Sequence, residues 1–260
     1  MKKIHQLFFV SEKVFPIRIG GINKKCKVNK SVPWITISLQ LRGYIEKGTS
    51  LFLVNNIKKG DVFLDIGANL GYYSLIASEL VGDEGKVYAF EPVKSNIKSL
   101  EENILLNNIS NVSIKKFALG NKNEQLNINI DANNSAVNSI VIKQDKNLSE
   151  KISIKRFDDL DIHKENINFV KIDVEGYELE VLKGMKNLLE NQDNLNIVME
   201  FSPLFFKQIG ETPEKIIEYI YKIGYSTYKI TSTGQLKKIN LKDYLKIYQM
   251  NILLKKELKS

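Results

Sequence analysis

Short apolar runs alternate along this chain with longer stretches in which apolar residues return every three or four positions. Val62-Phe-Leu-Asp-Ile66, Val87-Tyr-Ala-Phe90, Val112–Phe117, Phe169–Ile172 and Ile197–Phe201 are the short runs. Each is bounded by turn residues, as expected of strands buried on both faces. Tyr72, Leu75, Ile76 and Leu80 have helical spacing and end at Gly82, a natural stop. Ile97, Leu100 and Ile104 stripe a helix expected over Lys94–Leu106, and Val181, Leu182, Met185, Leu188 and Leu189 stripe another after Gly176. Thr212-Pro213-Glu214 reads as a helix start with threonine as N-cap, and Ile216, Ile217, Ile220 and Ile223 continue it to Gly224. Strand–helix alternation of this kind predicts a doubly wound α/β fold, a Rossmann-like seven-stranded sheet with helices on both faces. Tyr225–Thr231 and Tyr248–Leu254 supply its last two strands as antiparallel neighbours.

Outside this alternation the pattern weakens. Residues 46–57 read as a helix leading through Lys59-Gly60-Asp61 into the first core strand. Residues 1–45 hold β-prone pieces, including Trp34-Ile-Thr-Ile-Ser-Leu39, and are expected to form a small β-rich extension to a domain spanning 46–260. Residues 125–154 are polar and β-prone, which predicts a hairpin insertion turning at Asn133-Asn134-Ser135.

Composition narrows the class. A chain of 260 residues suits one α/β domain with modest additions. No window holds 18 uninterrupted apolar residues, so no membrane span is expected. The apolar run Leu7–Val10 is too short for a secretory leader, and charged Glu12 and Lys13 follow it, which predicts a cytoplasmic protein. Cys26 is the single cysteine, which excludes an intrachain disulfide and a cysteine-based zinc site. The net charge is +8, densest at Lys237, Lys238, Lys242, Lys246, Lys255, Lys256 and Lys259. Such a region suits a solvated face or peripheral contact with an anionic surface.

Asp65-Ile-Gly-Ala-Asn-Leu-Gly71 follows the first core strand, and Glu91 ends the second. This order of strand, glycine turn, helix, strand and acid is the first βαβ unit of a nucleotide-type cofactor site. Gly67 lets the chain turn sharply and approach a ligand, and Gly71 brings helix and strand together. Glu91 is suited to accept hydrogen bonds from both hydroxyls of a ribose. A dinucleotide site favours three glycines spaced G-x-G-x-x-G, whereas here Asp65 stands beside the turn, where it suits a cation better than a pyrophosphate.

The D-x-G-x-N-x-G turn resembles motif I of the class I S-adenosylmethionine-dependent methyltransferases. Phe169-Val-Lys-Ile-Asp-Val-Glu-Gly-Tyr-Glu-Leu-Glu-Val-Leu-Lys-Gly184, with Phe90-Glu-Pro92, Ala118-Leu-Gly120 and Ile197-Val-Met-Glu-Phe201, resembles the signature of the FkbM-type methyltransferases. The resemblance covers about residues 45–205. It implies S-adenosylmethionine as cofactor and O-methylation of a sugar, a glycan or a small polar metabolite. It also implies cofactor contacts at Asp65, Gly67, Ala68, Asn69, Gly71, Glu91, Phe117, Ala118 and Asp173, and an insertion near the substrate mouth. Ser135, Asn138 and Ser139 of that insertion are candidate substrate contacts.

In open α/β sheets ligands bind beyond the carboxyl ends of the strands, where Asp65, Glu91, Ala118, Asp173 and Glu200 all fall. A hydroxyl acceptor must lose its proton, and Asp173 or Glu175 is the candidate general base. Glu178 and Glu180 read as helix-surface charges. Glu200 is a candidate substrate contact, and Asp173 with Glu200 alone are too few ligands to specify a metal. His163 precedes the fourth strand, away from the chemistry. Two rival functions remain. The first is a nucleic-acid methyltransferase, disfavoured because Asp173-Val-Glu-Gly-Tyr177 stands where an Asn/Asp-Pro-Pro-aromatic tetrad is needed. The second is a non-catalytic binding module, disfavoured because Asp65, Gly67 and Glu91 are all present.

Overall fold

The computed structural model describes residues 13–28, 33–129, 149–208 and 210–256. Five strands, β3 (Val62–Ile66), β4 (Lys86–Phe90), β5 (Val112–Lys115), β9 (Phe169–Ile172) and β10 (Asn196–Phe201), run parallel. The antiparallel β13 (Met250–Lys256) lies between β10 and β11 (Tyr225–Ile230), and β12 (Leu236–Ile239) adds to the outer edge of β11. The order is β12-β11-β13-β10-β9-β3-β4-β5, a doubly wound sheet whose order reverses between β3 and β9. Among the described residues it has eight strands rather than the seven expected. The extra strand, Leu236-Lys-Lys-Ile239, is solvent-exposed and basic, as edge strands often are, so hydrophobic patterning does not reveal it.

Pleat alternation sorts the strand residues between two cores. Leu64, Ile66, Val170, Ile172, Ile197 and Met199 face one side with α5 (Glu178–Gly184), α6 (Lys186–Asn191), α7 (Pro203–Gln208) and α8 (Pro213–Lys222). Phe63, Phe169, Val198 and Leu253 face the other, under α2 (Lys47–Asn56) and α3 (Tyr72–Val81). The helix expected after Gly176 is broken at Met185 into α5 and α6. Helix α4 (Lys94–Leu106) has the expected bounds. Thr212 holds the N-cap position of α8, but its side chain makes no capping bond.

The N-terminal region departs further from expectation. Lys13–Pro16 (β1) and Lys25–Val28 (β2) form a hairpin, but Pro33–Arg42 is a helix, α1. Trp34–Leu39 therefore coils, because Pro33 opens the helix and Ile35 and Leu39, four apart, bury together. This region is tied into the main domain. Ile17, Cys26, Ile35 and Leu39 share a core with Leu70, Leu75 and Ile76, and Asn103 bonds the backbone of Lys27 through both its amide atoms. Cys26 is fully buried, which pushes its thiol up to about 12 and leaves it chemically quiet.

Strand β6 (Ala118–Leu119) leaves the main sheet and joins β8 (Ser149–Lys155), which pairs antiparallel with β7 (Glu124–Asn129). These are the two arms of the expected hairpin; its turn at Asn133-Asn134-Ser135 lies outside the described residues. Lys256 is bound to the Glu190 carbonyl and Asp193, while Lys237, Lys242, Lys246 and Lys255 are exposed. No helix among the described residues is long and apolar enough to cross a membrane.

Candidate active site

The turn after β3 is built by backbone shape. Gly67 has φ +84°, and a Cβ there would stand 1.9 Å from the Asp173 carbonyl oxygen. Only glycine allows β3 and the end of β9 to approach so closely. The Gly67 and Ala68 N–H groups donate to the Phe90 carbonyl, both at 3.0 Å, which ties this turn to the end of β4. Gly71, at φ +92°, opens α3, and a Cβ there would meet Leu100 Cδ1 at 2.4 Å.

Glu91 closes the second side. Its Oε2 accepts the Asn69 N–H at 2.8 Å, and its Oε1 accepts the Val93 N–H at 2.9 Å and Asn96 Nδ2 at 3.3 Å. Burial pushes its carboxyl up to about 7, against these donors. Asp65 is 2 % exposed and accepts Ser74 Oγ at 2.5 Å. Pleat parity turns it toward α3, so it anchors the helix start from behind the cavity wall rather than on it.

The turn after β9 is built differently. Glu175, a non-glycine, sits at φ +51° and is followed by Gly176 at φ +96°. Burial, with Asp173 nearby, pushes the Glu175 carboxyl up to about 9. Glu178 is a correction to the sequence reading. It is 1 % exposed, and its Oε1 accepts the Val174 and Gly176 N–H groups at 3.2 and 3.3 Å, holding the turn from inside. Its Oε2 has no hydrogen-bond partner, and burial pushes this carboxyl up to about 7. Glu180 is a surface charge, paired with Lys183.

Sequence reasoning gave no role to Lys171, which is fully buried in β9. Its Nζ donates to Asp173 Oδ2 at 2.9 Å and lies 5.2 Å from the centre of the Tyr73 ring. Burial pulls the ammonium toward its neutral form, but Asp173 and Glu46 outweigh that and hold its pKa above the ordinary lysine value. The detectable signal was a lysine inside the otherwise apolar strand Phe169-Val-Lys-Ile172. Glu46, in the left-handed region at φ +41°, and Glu200 complete the group. Carboxylate oxygens of Glu46, Asp173 and Glu200 lie within 4.8 Å of one another. Tyr73 Oη donates to Glu46, and Gln249 Nε2 and Ser202 Oγ donate to Glu200. Burial pushes both glutamate carboxyls up from their ordinary value, Glu200 the further, while the Lys171 ammonium pulls each of them back down.

These elements surround one cavity of about 410 Å³, ample for a ligand of nucleoside size. Gly67, Ala68, Asn69, Glu91, Ala118, Asp173, Glu175 and Glu200 line it, with Trp34 and Tyr248 exposed at its edge. Gly71 stands behind the turn. Phe117 packs edge-on against Phe90 at 5.8 Å, beneath the Lys155 ammonium, and does not line the cavity. The chain leaves β5 at Lys115, so Ala118 comes from β6 rather than from the end of the third strand. Ser135, Asn138 and Ser139 lie outside the described residues. His163 sits on a short 3₁₀ turn ahead of β9 and does not line the cavity.

The sequence profile of the methyltransferase FkbM domain matches residues 65–227. The chain is similar to the hexuronic acid methyltransferase AglP of Haloferax volcanii, 31% identical over 155 residues that make up 58% of this chain and 60% of that protein. It is also similar to methyltransferase 1 of Beauveria bassiana, 26% identical over 160 residues, 53% of this chain and 63% of that one. The matches thus span less than two thirds of the length of these curated relatives. Among solved structures, methyltransferase FkbM of Methylobacillus flagellatus aligns with a TM-score of 0.48 at 12% identity, covering 87% of this chain and 61% of that one.

Proposed function

This chain belongs to the methyltransferase FkbM family, whose methyl donor is S-adenosylmethionine, and we propose that it methylates a hydroxyl of a sugar, a glycan or a small polar metabolite. The observation that carries this reading is the convergence of the Gly67–Gly71 turn, Glu91 and Asp173 on one cavity beyond the carboxyl ends of β3, β4 and β9.

The residues present fit the donor. Gly67 lets the turn pack against the Asp173 carbonyl so that Gly67, Ala68 and Asn69 line the cavity, and Glu91 is a buried acceptor whose Asn69 bond is exchangeable for ribose hydroxyls. When bound, S-adenosylmethionine supplies a methyl group on a positively charged sulfur, already activated for in-line displacement. The chain then has to align the acceptor and take up one proton. Asp173 is our general base. Lys171 engages its Oδ2, so Oδ1 is the oxygen left for an acceptor hydroxyl. Glu175, protonated at neutral pH, donates a hydrogen bond to the acceptor rather than taking its proton. Trp34 and Tyr248 offer flat apolar surface for a sugar ring, and the name of the Haloferax relative supports a sugar acceptor.

The test is calorimetric titration with S-adenosylhomocysteine, NADH in parallel, followed by transfer of labelled methyl to a panel of neutral sugars, uronic acids and RNA. Saturable binding of S-adenosylhomocysteine with label on a sugar hydroxyl is the expected outcome. Label on RNA would overturn the acceptor assignment.

A further inference from the structure

Pleat parity gives the sheet face beneath α2 and α3 an unusual row. Asp65 on β3 pairs with Lys171 on β9, and Glu200 on β10 pairs with Asn251 on β13. Asp65, Lys171 and Glu200 stand near the carboxyl ends of their strands and Asn251 near the start of the antiparallel β13, all on the side of the sheet that holds Phe63, Phe169, Val198 and Leu253. A buried lysine is tolerated only where its charge is answered in place. Here Glu46, Asp173 and Glu200 answer it, with oxygens spaced like the carboxylate ligands of a single divalent cation.

Each of these carboxyl groups is already committed. Asp173 takes the Lys171 ammonium, Glu46 takes the Tyr73 hydroxyl, and Glu200 takes Gln249 and Ser202. A metal entering between them would have to displace a buried ammonium and lie beside it as a second positive charge. We propose that Lys171 is the built-in cation of this site, a positioning residue that occupies the electrostatic role of a divalent metal and excludes one. The ammonium holds Asp173 Oδ2 and fixes the orientation of Oδ1. This last point rests on the proposed function, in which Asp173 takes the acceptor proton.

Mn²⁺ is the probe, followed by electron paramagnetic resonance and calorimetry on the full chain. Wild type should show no saturable Mn²⁺ site, and its affinity for S-adenosylhomocysteine should be the same in Mn²⁺ as in EDTA. Lys171→Met removes the charge at similar length and should create a Mn²⁺ site at least about tenfold tighter than any in wild type. Glu200→Gln added to it should abolish that site, and Lys171→Arg, which keeps the cation, should stay blind to Mn²⁺. A stoichiometric Mn²⁺ site in wild type that Glu200→Gln removes would overturn the proposal, as would a folded Lys171→Met that binds Mn²⁺ no better than wild type. If Lys171→Met does not fold, wild type and Lys171→Arg decide: Mn²⁺ blindness in both supports the proposal, and a site in either sinks it. Failure of the base assignment reads out separately, as normal turnover by Asp173→Asn with these Mn²⁺ results unchanged.

Discussion

At the ends of β3 and β9 the chain makes the same move, a positive-φ turn from a buried parallel strand toward a helix, out of different materials. The β3 turn uses Gly67, Asn69 and Gly71, and its polar groups are met by neighbouring backbone and by Glu91. The β9 turn uses Glu175 and Gly176, and it is braced from within by the buried Glu178. The first is a shape that any bound nucleoside-like donor meets as backbone. The second is a cluster of ionisable side chains whose protonation states are set by one another. A donor common to a whole family suits a backbone-built pocket, and an acceptor particular to one enzyme suits a side-chain-built one.

Four experiments break or sharpen that contrast. The largest effect is expected from Gly67→Ala, which drives a methyl into the Asp173 carbonyl and so injures both turns. It should abolish binding of S-adenosylhomocysteine and lower stability by on the order of 2–4 kcal/mol, read by calorimetry and urea unfolding. Asp173→Asn should act on one side alone. Turnover should fall by roughly 10²–10⁴-fold while the affinity for S-adenosylhomocysteine changes little. Equal losses in both would erase the division between the two sides. Glu91→Ala should do the converse, weakening S-adenosylhomocysteine by about 1–3 kcal/mol through lost hydrogen bonds to a buried carboxylate.

The smallest effect is in pH. Burial raises Glu91 and Glu178 to about 7 and Asp65 to about 6. Between the ordinary carboxylate range and these values the folded chain holds protons that the unfolded chain has released. Stability of the free protein should therefore fall as pH climbs through that window. Binding of ribose hydroxyls favours the Glu91 carboxylate, so S-adenosylhomocysteine should bind more weakly as pH drops below about 7 and release protons on binding. Comparing heats in two buffers of different ionisation enthalpy measures that release. Glu91→Gln should remove the pH dependence of binding, and Glu178→Gln should leave it in place.

What could be read from the sequence follows the same division. The glycine turn, Glu91 and helix Lys94–Leu106 are local patterns, each specified within one βαβ unit, and the structure has them where the spacing predicts. The proposed acceptor wall is assembled across the chain. Glu46 precedes α2, Lys171 belongs to β9, and Gln249 precedes β13. No periodicity links such residues, so Lys171 went unassigned and Glu178, on the first turn of a short helix, read as a surface charge. Trp34–Leu39 misled for a related reason. Its β-branched composition favours a strand in isolation, and its packing on the main domain decides otherwise. Strand β12 escaped because an exposed, lysine-bearing edge has no hydrophobic signature.

The placement of β13 has a temporal consequence. Its register partners are Ile197–Phe201 on one side and Tyr225–Lys229 on the other, so the sheet has a gap until residues 250–256 are inserted. During synthesis the β3–α3–β4 unit and its glycine turn can form as soon as they leave the ribosome. The hydrogen bond from Gln249 to Glu200 and the strand that seats Asn251 beside it must wait for nearly all of the described chain. The glycine turn can thus form in a nascent chain well before the proposed acceptor wall that β13 and Gln249 complete.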